Sequence, residues 1–395
     1  MNTQAEAEAI CLGLEYLKAQ FGSENYTNLN ENLYTLAVLF QQVKSEKAYQ
    51  VLNERGIPLL IANFNLYRNA AEEELSKGSF YEPDIFILKM FAKYNNPEGT
   101  KTLIDAVKAD YKPDNYLWSV IFDIAADNDQ HNMIIQELGD FLPGQFAGIS
   151  YLDMCNRLVI KGKLFKHPFD NEPGFQLLRK LLRSQDQDEF SYAVSATAAL
   201  PFINSRYRVE LLKLASGHPD IEVRIESAWA GAKLGDEESL QRLVELAKDY
   251  RYGNKPIQYL KELGKESMAP AETKQADFQA LAELCNWLSH PNEFGSYPDA
   301  AKIVDQRELN WPPTKDHRTM YIIEYTYKNH NEDGSDDTGV GMVGSTTFCL
   351  FGIDGLAKYP PENIYAVHCA WEMELEDYEK PETGLKILRS YNRNL

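Results

Sequence analysis

Four stretches of the chain carry residue types whose spacing could do chemistry. The first, Gly339-Val340-Gly341-Met342-Val343-Gly344, fits the dinucleotide pattern G-x-G-x-x-G. That fingerprint works only when a strand precedes it and a helix opens after it, so that backbone amides and the helix dipole meet a pyrophosphate. Here Ser345-Thr346-Thr347-Phe348-Cys349-Leu350-Phe351 follows, a β-branched and aromatic run that reads as strand. The glycines are therefore expected to permit a bulge or the close approach of a neighbour on a sheet. The second stretch, Asn331-Glu332-Asp333-Gly334-Ser335-Asp336-Asp337, opens like a calcium loop. It places Asp336 where an EF-hand needs glycine and Met342 where it needs a bidentate glutamate, so a solvated hairpin tip is expected. The third is His368-Cys369. Neighbours on a helix point about 100° apart, so the two cannot face each other as a thiol–imidazole pair, and both are expected buried beneath Trp371. No His-x-x-x-His, Cys/His cluster or Gly-x-Ser-x-Gly occurs, so zinc and serine-hydrolase chemistry have no support. No catalytic, metal-binding or cofactor-binding residue is assigned, and no cofactor is expected.

The fourth stretch is His290-Pro291-Asn292-Glu293-Phe294-Gly295, with Trp287 and Trp311 nearby. It gathers aromatic and polar groups where the sequence changes character, and pockets form preferentially at such junctions. Trp287, His290, Asn292, Glu293, Phe294 and Trp311 are therefore the candidate binding surface. The plainer alternative is an irregular hinge held by aromatic packing.

What must position these groups is set by the rest of the chain. Its 395 residues suffice for two or three ordinary domains or one repeat array, and 44% hydrophobic residues can bury a large core. The formal charge of −19, from 59 acidic and 40 basic residues, repels phosphate backbones and anionic lipid. No basic patch offsets it. The densest basic run, Arg179-Lys180-Leu181-Leu182-Arg183, reads as the last turn of a helix, where cations suit the dipole. Nucleic acid and membrane are not expected partners. The acidic N-terminus lacks the features of a secretory signal, and no apolar run approaches the roughly 20 residues that span a bilayer. Cys11, Cys155, Cys285, Cys349 and Cys369 are scattered and form no C-x-x-C, as expected of reduced thiols in a cytoplasmic protein.

The helical part repeats. Shifting Asp188–Asp220 by 32 residues places Ser195-Ala196 on Ser227-Ala228, and Leu211 through Ala215 on Leu243 through Ala247. A period of this size with two helices per unit predicts stacked helical hairpins. In the second copy Val223, Ser227, Ala230 and Leu234 share one helix face, rich in small residues that let a neighbouring helix approach. Gly235 stands where a helix is terminated by a left-handed residue, and Asp236 where the next is capped. Upstream, Tyr34–Gln42, Lys47–Glu54, Pro83–Tyr94 and Pro97–Ala109 continue the pattern at looser periods. Downstream, Pro256–Leu263 is expected to be a helix, and Pro270 to open a closing helix ending near Leu288.

The run Asp220-Ile221-Glu222-Val223-Arg224, Ala228-Trp229-Ala230 and Leu234-Gly235-Asp236 resembles the HEAT-like repeat first described in phycobilisome lyases. The likeness covers about 60 residues (188–252 most clearly). It implies an α-solenoid over 1–289 and no particular reaction, because a repeat fold serves many partners. Cys285–Leu288 through Asn292–Gly295, with Trp311-Pro312-Pro313 and Gly339–Gly344, are similar to bacterial HEAT-repeat proteins of unassigned role.

After Ser289 the helical period stops. Trp311-Pro312-Pro313 reads as a rigid connection, Thr319–Tyr327 and Val340–Phe351 as strands around a polar turn, and Pro361–Glu376 as a helix carrying Ile364, Val367, His368, Trp371 and Leu375 on one stripe. Residues 290–395 are thus expected to form a small α+β domain or cap. The apolar stripe of the preceding helix, from Phe278 to Leu288, is expected to dock it.

The function this implies is a cytoplasmic HEAT-repeat scaffold that binds a protein partner. The charge favours a basic one, for instance a basic toxin neutralised by an immunity protein. The rival is an enzyme with its site in the C-terminal domain or at the domain junction; a chromophore lyase enters only by analogy of fold.

Overall fold

The computed structural model describes residues 3–21, 26–69, 82–128, 130–290, 293–331, 333–353 and 355–392. It is mostly helical, with one antiparallel four-stranded sheet near the C-terminus. Among the described residues no helix is long and apolar enough to cross a membrane. Two compact units are distinguished, Met1–Ser227 and Ala228–Leu395.

The first unit contains α1 (Gln4–Gln20), α2 (Tyr26–Gln41), α3 (Glu46–Val51), α4 (Ile57–Arg68), α5 (Pro83–Lys93), α6 (Pro97–Lys108), α7 (Leu117–Asp127), α8 (His131–Leu138), α9 (Gln145–Ile160), α10 (Glu172–Arg183), α11 (Phe190–Ala198) and α12 (Ser205–Ser216). A π-helical turn, Leu52–Gly56, joins α3 to α4. From α5 onward, each packs on its chain neighbour or on the next helix but one: α5 on α7, α7 on α9, α9 on α11, and likewise α6 on α8 and α10 on α12.

Four polar contacts in this unit share one sequence separation. The Asp110 carboxylate accepts the Gly144 amide at 2.8 Å, and Asp170 accepts the Asn204 amide at 2.6 Å, both across 34 residues. Asp123 pairs with Arg157 at 2.7 Å and Asp127 with Lys161 at 3.3 Å, at the same separation of 34. Lys108 reaches Glu137 across 29 residues. Nearer the N-terminus the separations widen: Asn96 donates to the Asn53 carbonyl across 43 residues, and Tyr94 to the Phe40 carbonyl across 54. Exposed ion pairs of this kind add little stability individually; their value here is as a record of register.

The turns after His167 and after His218 share a device. His167 Nδ1 accepts the Phe169 amide at 3.2 Å, and His218 Nδ1 accepts the Asp220 amide at 3.1 Å. Each is followed by a side-chain cap, Asn171 on the Gly174 amide and Asp220 on the Val223 amide.

Helix α13 (Ile221–Lys233) carries the boundary between units. Its end follows expectation. Gly235 has φ +88°, its amide donates to the Ala232 carbonyl, and the Asp236 amide donates to Gly231. This is the Schellman pair of bonds that satisfies the last carbonyls of a helix. Asp236 then caps α14 (Glu237–Leu246) through the Ser239 amide. Gly231 is needed for the approach of the two helices: a Cβ there would lie 2.1 Å from Ser239 Oγ. Residues matched by the 32-residue shift share their burial. Ser195 and Ser227, Ala196 and Ala228, Leu211 and Leu243, and Ala215 and Ala247 are all buried.

In the second unit α14 packs on α15 (Asn254–Glu262), and α15 on α16 (Ala276–Leu288). The expected helix from Pro270 is split into a 3-10 turn, Ala271–Lys274, and α16, because Gln275 is extended. The sheet follows in simple meander order: β1 (Ala300–Trp311), β2 (Asp316–Tyr327), β3 (Asp337–Val343) and β4 (Phe348–Cys349). Strand β1 was not anticipated. Trp311-Pro312-Pro313 opens a hairpin turn that closes on Lys315 at φ +58°, and does not link separate parts. The expected strand Val340–Phe351 is two strands, broken after Val343. The helix from Pro361 ends at Glu372 rather than Glu376, as α17, and a further helix, α18 (Pro381–Tyr391), packs on it.

One bulge sets which residues of β1 face which side. The register slips between Ile303 and Asp305. Before it, Ala301 and Ile303 face α16; after it, Leu309 and Trp311 face α17. An extra residue reverses the in–out alternation because the side-chain period of a strand is two. On β2 the alternation is unbroken. Tyr321, Ile323, Tyr325 and Tyr327 pack with Leu284, Cys285 and Leu288 of α16, whereas Met320 and Ile322 pack with Ile364, Tyr365 and Val367 of α17. The sheet is thus covered on both faces, and the apolar stripe of α16 docks it as expected.

Candidate functional site

The proposed surface divides. Trp287, near the end of α16, is half-buried and stacks on Phe351 with ring centroids 5.9 Å apart. His290 is exposed, and its carbonyl accepts the amides of Glu293 and Gly295. Phe294 is half-buried and stacks face to face on Tyr327 at 4.3 Å, with Tyr325 and Phe351 edge-on at 5.8 and 5.5 Å. Asn292 lies outside the described residues, as does Glu332 of the acidic tip. Trp311 does not belong to this surface. It is fully buried against α17, and its indole donates to Glu372 at 2.9 Å, the carboxylate that also accepts Ser345. The bulge in β1 is the physical reason, since it turns Trp311 to the opposite face from Phe294.

Glu293 and Phe294 line an open cavity of about 490 Å³ beside β3 and the segment after β4. Its walls also include Tyr325, Asp337, Cys349 and Phe351. Among the described residues, strand β4 pairs only with Gly341 and Met342, and Asp337–Val340 borders the cavity without a strand on that side. The size is that of a site for a small molecule or a single side chain. The candidate surface did not include Tyr325, Asp337, Cys349 and Phe351. Tyr325 and Asp337 stood in the sequence as strand and hairpin-tip residues, and only the register Tyr325↔Gly339 and Tyr327↔Asp337 brings them together.

The glycines of the G-x-G-x-x-G run serve this packing. They lie on and just after β3, and strand β4 follows where a nucleotide fingerprint requires a helix. A Cβ on Gly339 would sit 2.3 Å from the Tyr325 hydroxyl. One on Gly341 would sit 2.5 Å from Leu284 Cδ1 and 2.8 Å from Cys349 Sγ. Gly341→Val is therefore expected to destabilise the protein by about 1–3 kcal/mol through overpacking. A urea melt checks this, and an unchanged midpoint would mean that α16 does not press on β3 here.

Among the described residues no cysteine is an activated nucleophile. All five cysteines are buried. Burial pushes Cys285 and Cys369 up to about 12. Burial likewise raises Cys349, partly opposed by Tyr325 and reinforced by the charge of Glu293. Such thiols are not thiolates at neutral pH. His368 is fully buried against Phe348, as expected, and burial lowers it to about 3; neither ring nitrogen has a hydrogen-bond partner. Trp371 remains half-exposed over Phe348 rather than closing over the pair. Among the described residues no three His, Cys, Asp or Glu side chains converge to hold a metal ion. No family model matches the chain, and no curated protein matches it either.

Proposed function

We propose that this chain is a binding scaffold of HEAT-like helical hairpins that engages a protein partner carrying basic residues, in the cytoplasm. The observation that supports the hairpin stack most is the ladder of contacts at a separation of 34 residues. Asp110 to Gly144, Asp123 to Arg157, Asp127 to Lys161 and Asp170 to Asn204 each join positions 34 residues apart, close to the 32-residue shift read from the sequence. Equivalent residues touch at a fixed separation when one repeat unit stacks on the next. Such a stack offers a long surface and carries no chemistry of its own. The charge of −19 favours a basic partner by steering its approach and disfavours nucleic acid. Five unpaired, buried thiols are consistent with a reducing compartment. A cysteine-dependent enzyme has less support, because burial raises every thiol.

The test is capture of the tagged full chain from its native cells, followed by chemical cross-linking and mass spectrometry. One basic protein, with cross-links on the helical hairpins, is expected. Recovery of nucleic acid alone, or of no protein above background, would contradict the proposal.

A further inference from the structure

The cavity beside β3 has walls that suit a particular kind of ligand. Its two charged wall residues are both acidic, Glu293 and Asp337, and no lysine or arginine is among the described residues that line it. Glu293 is half-buried at the rim, its amide held by the His290 carbonyl. Asp337 meets the His330 ring at 3.9 Å, which is charged only when protonated. Between the acids stand aromatic rings that hold one another in place: Phe294 against Tyr325 and Phe351, with Phe351 also backed by Trp287. Both acids are felt inside. After burial and Cys349, the charge of Asp337 contributes to raising the Tyr325 hydroxyl; after burial, that of Glu293 contributes to raising the Cys349 thiol against a bond from Tyr325. Aromatic faces and carboxylates are both attractive to a cation with an apolar body.

We propose that this cavity binds an alkylammonium or guanidinium group, its apolar stem against Phe294, Tyr325 and Phe351 and its charge at Glu293 and Asp337. The cavity volume of about 490 Å³ accommodates such a group. The same chemistry is offered by a free organic amine or by a lysine or arginine side chain on a protein. The inference does not depend on the scaffold reading, since it concerns one unit and one small group.

Isothermal titration calorimetry on the full chain tests it. The probes are n-butylammonium, N-acetyl-lysine methylamide and N-acetyl-arginine methylamide. Their neutral counterparts are n-pentanol and N-acetyl-norleucine methylamide. At least one cation is expected to bind fivefold or more tighter than its neutral counterpart, and Glu293→Gln and Asp337→Asn are each expected to weaken it fivefold or more. Both variants change wall groups that are not fully buried, and circular dichroism melts confirm that they fold. Tighter binding of a single-lysine octapeptide than of butylammonium assigns the source to a protein side chain; equal or weaker binding assigns it to a free amine. Equal binding of cation and neutral probe, or cation binding unchanged in both variants, would overturn the proposal.

Discussion

Lowering the pH from 6.5 to 5 is expected to cost each unit about 2 kcal/mol of stability, from one histidine apiece. Burial lowers His167 in the first unit and His368 in the second to about 3, against an ordinary value of 6.5. Both are therefore neutral in the fold throughout this range and protonated in the unfolded chain. The unfolded state binds the extra proton, so stability is fully present above pH 6.5 and is lost as the pH falls toward 3. His218, also lowered by burial, adds to the first unit with the same sign. Carboxylates with lowered values, such as Asp249 held by Arg251, act only below about pH 4 and do not blur the window. Hydrogen exchange followed across α9 and α17 reads the two units separately. His368→Leu is the sharpest check. Neither ring nitrogen has a partner to lose, so the variant is expected to hold its stability at pH 7 and to flatten the acid slope of the second unit alone. An unchanged slope would mean that His368 reaches water in the fold.

Lys112→Met is expected to destabilise the first unit by about 3 kcal/mol or more, because it leaves a buried charge without its counter-ion. Asp84 is buried, and one of its oxygens accepts from Lys112 at 2.9 Å and from the Tyr111 hydroxyl at 2.5 Å. Its other oxygen has no partner among the described residues. Burial opposes the charge on Lys112, but Asp84 and Glu82 outweigh it and raise its pKa. The reverse change, Asp84→Leu, is expected to cost less: Lys112 keeps Glu82 at 3.1 Å and is only about one-third exposed, so Tyr111 is the group left short. The double variant is expected to be more stable than Lys112→Met alone. Denaturant melts of the three variants check the order, and a double variant worse than both singles would contradict it.

How far the sequence carries these conclusions depends on whether a signal is local. The end of α13 was legible because Gly235 and Asp236 are defined by their own backbone demands: φ +88° at one, a free side-chain oxygen for the Ser239 amide at the other. The capping box of α1 was equally local, Thr3 and Glu6 exchanging 3.2 and 2.9 Å bonds, and that signal could have been found. Strand β1 was hidden by Lys302, Asp305, Arg307 and Glu308, and by a bulge that breaks its alternation. Charges of this kind are what an edge strand carries to resist further pairing. Its edge is also occupied by Asn392, whose side chain exchanges bonds with Asn310 at 2.8 and 3.0 Å. The candidate surface was half legible. Glu293 and Phe294 are consecutive and share the cavity, whereas Trp311 was placed with them by proximity in sequence and is parted from them by the bulge. Asp337 and Phe351 reach the cavity only through strand register and the turn after β4, which no short window of sequence encodes.

The measurement that bears most directly on the scaffold proposal is a calorimetric titration of the purified full chain with its captured partner at low and at physiological salt. Defined stoichiometry is predicted, with affinity falling several-fold as salt rises, because an acidic surface meeting a basic one is screened over about a Debye length. Salt-independent binding would contradict the electrostatic part of the account. A purified partner that releases no heat and does not co-elute with the chain would contradict the scaffold itself.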